Sequence, residues 1–111
     1  MIEIPYSKDE LRFAVLGVKE EQLDEKKLDA FFNERENKVP KDKKEWNKKA
    51  AEFHGITVEQ LINSPNYKIL SDECIGQFIK QLVEKLQERL GITDKQAWAF
   101  ILVGMGLIKI E

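Results

Sequence analysis

The chain has 111 residues, a length at which one domain can close a single hydrophobic core without disulfide or metal cross-links. Hydrophobic residues make up 42% and charged residues 34%, with three prolines and six glycines, which argues against a disordered chain and against a strand-rich sandwich. The net charge is −2, and the single cysteine cannot form an internal disulfide. Met1 is not followed by a basic and then an apolar segment, so we expect a cytoplasmic protein rather than a secreted one.

Charge is unevenly distributed along the chain. Residues 1–36 carry ten acidic and six basic side chains, a local net charge of −4. Residues 37–49 carry six lysines against Asp42 and Glu45, a local net charge of +4. This lysine cluster is typical of a solvated helix face, and the alternative is a basic patch that docks on phosphate or on an acidic partner.

The N-terminal residues predict an extended arm followed by a helix. Residues 1–6 alternate apolar and polar side chains until Pro5, which favours a short strand. Ser7 and Glu10 have the spacing of a capping box, in which each side chain bonds the backbone N–H of the other residue. A first helix is therefore predicted over residues 8–16, with the glycine that follows as its natural end.

Two further helices are predicted on either side of Pro40. The second helix is most secure from Asp24 onward, and the third begins after Pro40 and ends at Gly55. Pro40 separates them because proline has no N–H to donate and disfavours helical backbone at the residue before it. The apolar side chains predicted to share a face are Leu28, Phe31 and Phe32 on the second helix, and Trp46, Ala50 and Phe53 on the third.

The next predicted elements are a short helix, a loop and a long helix. The short helix covers residues 58–63 and is ended by Pro65, and residues 64–70 are predicted as a loop. A long amphipathic helix over residues 72–90 follows, with Ser71 at its cap, because apolar side chains recur there at three- and four-residue steps. These apolar positions are Ile75, Phe78, Ile79, Leu82, Leu86 and Leu90.

The last predicted helix carries the most apolar stretch of the chain, residues 97–110. It follows a capping box at Thr93 and ends near Met105, where two glycines weaken the helix. The stretch is too short to span a membrane, which needs about 20 apolar residues. The alternating tail, residues 107–111, can pair with residues 1–4 as a ribbon.

These patterns together predict a mainly α fold. We expect a compact single-domain bundle of five to six helices over residues 1–111, with the helix at 72–90 and the helix around Trp98 at its centre. A short two-stranded ribbon of the N- and C-termini is an additional element that packing on helices would stabilise.

The chain carries no catalytic, metal or cofactor signature. One histidine and one cysteine cannot supply a convergent set of metal ligands. His54 precedes a glycine at a helix C-terminus, which predicts a capping role. Cys74 follows Asp72 and Glu73, which disfavour a thiolate, so Cys74 is predicted as a buried core residue. We therefore expect a non-enzymatic protein without a cofactor, a metal or a small-molecule substrate.

One local motif indicates nucleic-acid binding as a possible function. Ala51, Gly55 and Leu61 lie within residues 47–63 at the spacing of a helix, a tight turn and a second helix capped by Thr57. This segment resembles a helix-turn-helix motif, and the resemblance implies that its second helix is the recognition helix. It also implies base contacts by Thr57, Glu59, Gln60 and Asn63, and phosphate contacts by Lys43, Lys44, Lys48 and Lys49.

The other hypothesis is protein binding through the apolar stretch near the C-terminus. Residues 97–108 can hold more apolar surface than so small a domain covers, and an uncovered patch marks a partner or self-association site. Trp98, Phe100 and Met105 are the predicted anchors, because aromatic residues and methionine are enriched at interfaces. The alternative is that all three are core residues. We predict a small interaction or regulatory protein that binds a protein partner or itself, with DNA binding as the alternative and no membrane partner.

Overall fold

The computed structural model describes residues 3–108, which are mainly helical and include no β-strand. These residues form two compact units. The first unit contains residues 40–78 and residue 3, and the second contains residues 4–39 and 79–108. The predicted helical fold is thus confirmed for this range, while the single-domain organisation stays a prediction. The predicted ribbon of the termini lies outside the described residues.

Six α-helices and one short 3₁₀ helix lie within residues 3–108. They are α1 (Lys8–Leu16), α2 (Glu25–Asn33), α3 (Lys43–His54), α4 (Val58–Asn63), α5 (Tyr67–Leu90) and α6 (Asp94–Gly104), with the 3₁₀ helix Arg35–Asn37 directly after α2. Side chains cap five of the helices at their N-termini: Ser7, Thr57 and Thr93 form complete capping boxes, and Asp24 and Asp42 accept a backbone N–H. The predicted starts of α1, α4 and α6 are therefore confirmed.

α5 begins earlier than the sequence pattern predicts. The predicted loop is helical from Tyr67 onward, and Ser71 lies inside the helix rather than at its cap. Ser64 Oγ accepts a hydrogen bond from the backbone N–H of Asn66 at 3.1 Å. Pro65 lies between them, in the turn directly before α5, where its missing N–H breaks no helical hydrogen bond. The loop prediction was wrong because Pro65 precedes one helix as well as following another.

The first unit packs α3, α4 and residues 67–78 of α5 around a small core. Its buried residues are Ala50, Ala51, Leu61 and Cys74, and Ile56, Val58, Tyr67 and Leu70 pack against them. The ring of Trp46 meets the ring of Phe78 edge-on, with centroids 5.5 Å apart. Cys74 is 2% exposed, which confirms its prediction as a core residue.

The second unit packs α1, α2 and α6 together with residues 79–90 of α5. α6 contacts both α1 and α2. Four of its residues, Ala97, Ala99, Ile101 and Leu102, are 0% exposed. α5 contributes Ile79, Leu82, Val83 and Leu86, each exposed by 2% or less. The prediction that the C-terminal apolar helix is buried is thus confirmed within this unit.

Candidate functional site

α1 presents two large apolar side chains on the face opposite its core contact. Phe13 is 75% exposed and Leu16 is 77% exposed, whereas Leu11 is 1% exposed. At about 100° per residue, Phe13 lies roughly 160° and Leu16 roughly 140° around the helix from Leu11. Residues three positions apart are neighbours on a helix surface, so these two side chains form one apolar surface.

The other face of α1 is held against α6 by polar contacts at its N-terminal end. Tyr6 Oη donates to Asp94 at 2.7 Å, and Lys95 Nζ lies 3.4 Å from the Glu10 carboxylate. The same Lys95 ammonium lies 5.3 Å from the centroid of the Tyr6 ring. The hydrogen bond to Asp94 raises the pKa of Tyr6, and hydrogen bonds from Ser7 lower the pKa of Glu10. These contacts help to hold the inner face of α1 against α6.

Charged side chains complete the outer face. Asp9, Arg12, Phe13 and Leu16 have the i, i+3, i+4, i+7 spacing of one helix face. Arg12 Nη1 lies 3.9 Å from Asp9 Oδ1, and their side chains are 49% and 86% exposed. We call these four residues the α1 stripe. It consists of an apolar half and a charged half with no net charge.

The side chains predicted as partner anchors lie elsewhere. Trp98 is 5% exposed, so its indole is a core side chain of the second unit and cannot serve as an accessible anchor in this conformation. Phe100 and Met105 are half-buried, on α6 and directly after it. The large apolar side chains with the greatest exposure among residues 3–108 are on α1 instead.

Phe13 and Leu16 are not among the predicted site residues, because the apolar spacing that predicts a helix marks its core face. The apolar residues at that spacing, Leu11, Ala14 and Val15, are buried or half-buried. The signal that finds the other face is also local. A helical projection places Phe13 and Leu16 together among charged residues, on the face opposite the apolar residues that predict the core contact.

The helix-turn-helix-like segment has the predicted backbone. Gly55 ends α3 in the left-handed conformation, with φ 67° and ψ 33°. Ala51 is 3% exposed and Leu61 is 0% exposed, so both residues lie in the core of the first unit. α4 has only six residues, less than two full turns.

Two of the four predicted base-contacting side chains are used to cap α4. Thr57 Oγ1 accepts from the backbone N–H of Gln60 at 3.0 Å, and Gln60 Oε1 accepts from the backbone N–H of Thr57 at 2.9 Å. Glu59 and Asn63 are exposed, and Ile62 between them is 53% exposed. The outer face of α4 thus offers a carboxylate, an amide and an aliphatic side chain.

The predicted phosphate-contacting lysines differ in their surroundings. Lys43, Lys44 and Lys48 are exposed on α3, and Lys49 is half-buried. The Lys49 ammonium lies 4.7 Å from the centroid of the Phe78 ring, so this lysine is part of the packing of the first unit. Lys44 and Lys48 have no hydrogen bond, ion pair or ring contact within residues 3–108.

The surroundings of His54 and Cys74 indicate that both side chains contribute to the fold and not to catalysis. His54 Nε2 lies 2.7 Å from the backbone carbonyl oxygen of Leu70, so the imidazole joins α3 to α5 instead of capping its own helix as predicted. Because a carbonyl only accepts, Nε2 carries the proton. Burial raises the pKa of the Cys74 thiol, which disfavours the thiolate that a nucleophile requires.

Neither a metal site nor a membrane span is present in the described range. Among residues 3–108, no three His, Cys, Asp or Glu side chains come together in a way that could hold a metal ion. No helix in that range combines the length and the apolar character needed to cross a bilayer. No family model, curated protein or solved structure matches the chain.

Proposed function

We propose that this protein is a small, non-enzymatic interaction protein that binds another polypeptide through the α1 stripe. The observation that carries the proposal is the exposure of Phe13 and Leu16, 75% and 77%, on a helix whose other face is held against α6. Burial of a leucine or phenylalanine side chain contributes about 1.5–3 kcal/mol. These two residues therefore offer a partner a concentrated apolar contact, as anchor residues of interfaces do.

The length of α1 also supports a partner on its outer face. The helix has nine residues, fewer than the roughly 12–15 that an isolated helix needs for stability in water. It is therefore stabilised by packing, yet its inner face contains one fully buried side chain, Leu11. A partner that covers the outer face would bury Phe13 and Leu16, the two large apolar side chains of α1 that its own chain leaves exposed.

The proposal includes no catalytic step, cofactor or metal, and it places the protein in the cytoplasm. What supports the absence of a catalytic step is the environment of the two most reactive side chains. The unpaired Cys74 is buried with a raised pKa, and His54 bonds a backbone carbonyl. Neither is arranged for nucleophilic or acid-base chemistry.

Site-specific photo-crosslinking in the cells of origin tests the proposal. Phe13 is replaced by the photoreactive p-benzoylphenylalanine in the full chain, and the matched control carries it at Phe53, which is 49% exposed in the first unit. We expect irradiation to give one discrete polypeptide adduct from position 13, and we expect Leu16→Gln in the same chain to reduce its yield.

Two outcomes would contradict the proposal. The first is the absence of a polypeptide adduct at position 13. The second is the same set of adducts from positions 13 and 53, because that result would reflect general accessibility rather than a binding surface.

We propose DNA binding by the first unit as a second candidate function. The backbone of residues 47–63 favours it, because Gly55 makes the tight turn and Leu61 is completely buried. Since Thr57 and Gln60 cap α4, the contacts available to DNA are mainly those of exposed lysines with phosphates. Such contacts give affinity with little sequence selectivity.

Fluorescence anisotropy with a labelled DNA duplex tests this candidate. We expect binding that weakens as salt rises, and we expect Lys44→Glu with Lys48→Glu to reduce the salt dependence by about two counterions. Lys49 is left unchanged because it packs over Phe78. Lys26→Glu with Lys80→Glu alters two exposed lysines outside the segment and is the matched control. Absent binding, or binding that does not depend on salt, would overturn the candidate.

A further inference from the structure

The charge pattern of the α1 stripe restricts the kind of partner that fits it. Asp9 and Arg12 are exposed side by side and carry opposite charges, so the charged half of the stripe has no net charge. A partner surface with one dominant sign of charge would meet a repulsive side chain as well as an attractive one. The stripe therefore suits a surface that is itself part apolar and part charge-balanced.

We propose that the occupant of the α1 stripe is a second copy of this chain, an inference that rests on the proposed function. Two-fold symmetric dimers bring the same patch of both subunits together, so the patch must be complementary to itself. Phe13 and Leu16 meet this condition because they are uncharged and apolar. Asp9 and Arg12 meet it because each copy presents both an anion and a cation to the other.

The net charge of the whole chain is compatible with this contact. At −2, it produces little long-range repulsion between two copies. A surface provided by one nine-residue helix is smaller than the roughly 800 Å² per partner of a standard stable interface. The dimer is accordingly weak, and its population depends on protein concentration.

Sedimentation equilibrium of the purified full chain tests the inference over roughly 10 µM to 1 mM. We expect the weight-average mass to rise from that of one chain toward that of two. Leu16→Gln should raise the dissociation constant by roughly tenfold or more, because it removes one of the two apolar contacts. Ile62→Gln, which changes a 53% exposed aliphatic residue of α4, is the matched control and should leave the constant unchanged.

Charge reversal tests whether the two copies recognise each other through the charged half. Asp9→Arg gives each stripe two cations, and Arg12→Asp gives each stripe two anions, so each variant alone should dimerise more weakly than the native chain. An equimolar mixture of the two variants should recover association, because opposite charges then face each other. Circular dichroism and thermal unfolding of each variant show that the substitutions at these exposed positions leave the fold intact.

The outcomes separate this inference from the proposed function. A single-chain mass at every concentration overturns self-association, as does a dimer that Leu16→Gln leaves unaffected. If the purified chain is monomeric while position 13 forms an adduct with a different polypeptide, the second copy is excluded and the proposed interaction function stands. If neither association nor an adduct is found, both fail.

Discussion

Asn37 shows how one buried amide connects distant parts of the second unit. Its side chain is 0% exposed, Nδ2 donates to the carbonyl of Phe31 at 2.9 Å, and Oδ1 accepts from Lys85 Nζ at 2.6 Å. The amide therefore satisfies a carbonyl near the end of α2 and holds an ammonium from α5. Lys85 also lies 3.6 Å from Glu36. Asn37 lies shortly before Pro40, between two predicted helices, and no pattern in the sequence predicts its burial.

Removal of this amide should destabilise the protein. Asn37→Ala removes the buried hydrogen bonds that the amide makes to the carbonyl of Phe31 and to the ammonium of Lys85, and their loss costs about 1–3 kcal/mol. The free energy of unfolding, measured by urea denaturation, checks this. Asn33→Ala changes an exposed asparagine of α2 and should stay within about 0.5 kcal/mol of the native chain. Equal effects of the two substitutions would contradict the role of Asn37.

At the scale of helices, a glycine in α6 has no space for a side chain, whereas a glycine in α5 has such space. A Cβ added to Gly104, the last residue of α6, would lie 2.1 Å from Cε2 of the Phe32 ring on α2. Gly76, inside α5, has open space where a Cβ would lie. The sequence predicted only that glycine weakens the helix near residue 104. The close approach of α2 became visible only in the folded chain.

Gly104→Ala should destabilise the protein although alanine is the better helix former. The added methyl group must displace a rigid aromatic ring, and overpacking of this kind costs about 1–3 kcal/mol. Thermal unfolding followed by circular dichroism shows whether the melting temperature of this variant falls. An unchanged or higher melting temperature would show that the Phe32 ring moves away without cost.

Gly76→Ala should have the opposite effect. Its backbone is helical and its added Cβ meets no atom within 4 Å, so the substitution should stabilise α5 by about 0.4–1 kcal/mol through helix propensity and reduced freedom of the unfolded chain. Urea denaturation of this variant beside Gly104→Ala compares the same chemical change in two environments. A loss of stability would mean that the space beside Gly76 is needed.

At the scale of the whole molecule, stability depends on pH through groups at opposite ends of the titration range. Hydrogen bonds from Ser7 lower the pKa of Glu10, and hydrogen bonds from Arg89 lower the pKa of Glu34. The hydrogen bond to Asp94 raises the pKa of Tyr6. The carboxylates therefore stabilise the fold above their ordinary pKa, and the neutral tyrosine stabilises it below its own.

We expect stability to fall at both ends of the pH range. It should decline as the pH drops from the ordinary glutamate pKa of 4.5 through the lower values in the folded chain, because the unfolded state binds protons more readily. It should also decline above pH 10.0, as the pH approaches the raised pKa of Tyr6 in the folded chain. Urea denaturation from pH 3 to 11, roughly, measures both slopes.

Two variants test which side chains cause the acid and the alkaline loss of stability. Glu10→Gln with Glu34→Gln should flatten the acid slope, since glutamine keeps hydrogen-bonding groups but does not titrate. Tyr6→Phe should flatten the alkaline slope in the same way. An acid slope that the double variant does not change would mean that other carboxylates control acid unfolding.

The sequence by itself determined the features that depend on residues close together along the chain. Capping boxes join residues three positions apart, so the starts of α1, α4 and α6 were predictable. The tight turn at Gly55 also follows from the local spacing of the helix-turn-helix-like segment. The helix at Tyr67 was missed because the same proline signal fits the end of one helix and the beginning of the next.

Only the tertiary structure decided which apolar side chains are covered. Trp98 and Phe13 are both large aromatic residues on helices, yet one is 5% exposed and the other 75% exposed. Helical periodicity states which residues share a face, but the presence of a neighbour on that face depends on contacts between residues far apart in the chain. Tyr6 and Asp94, 88 positions apart, make such a contact and help direct Phe13 and Leu16 outward.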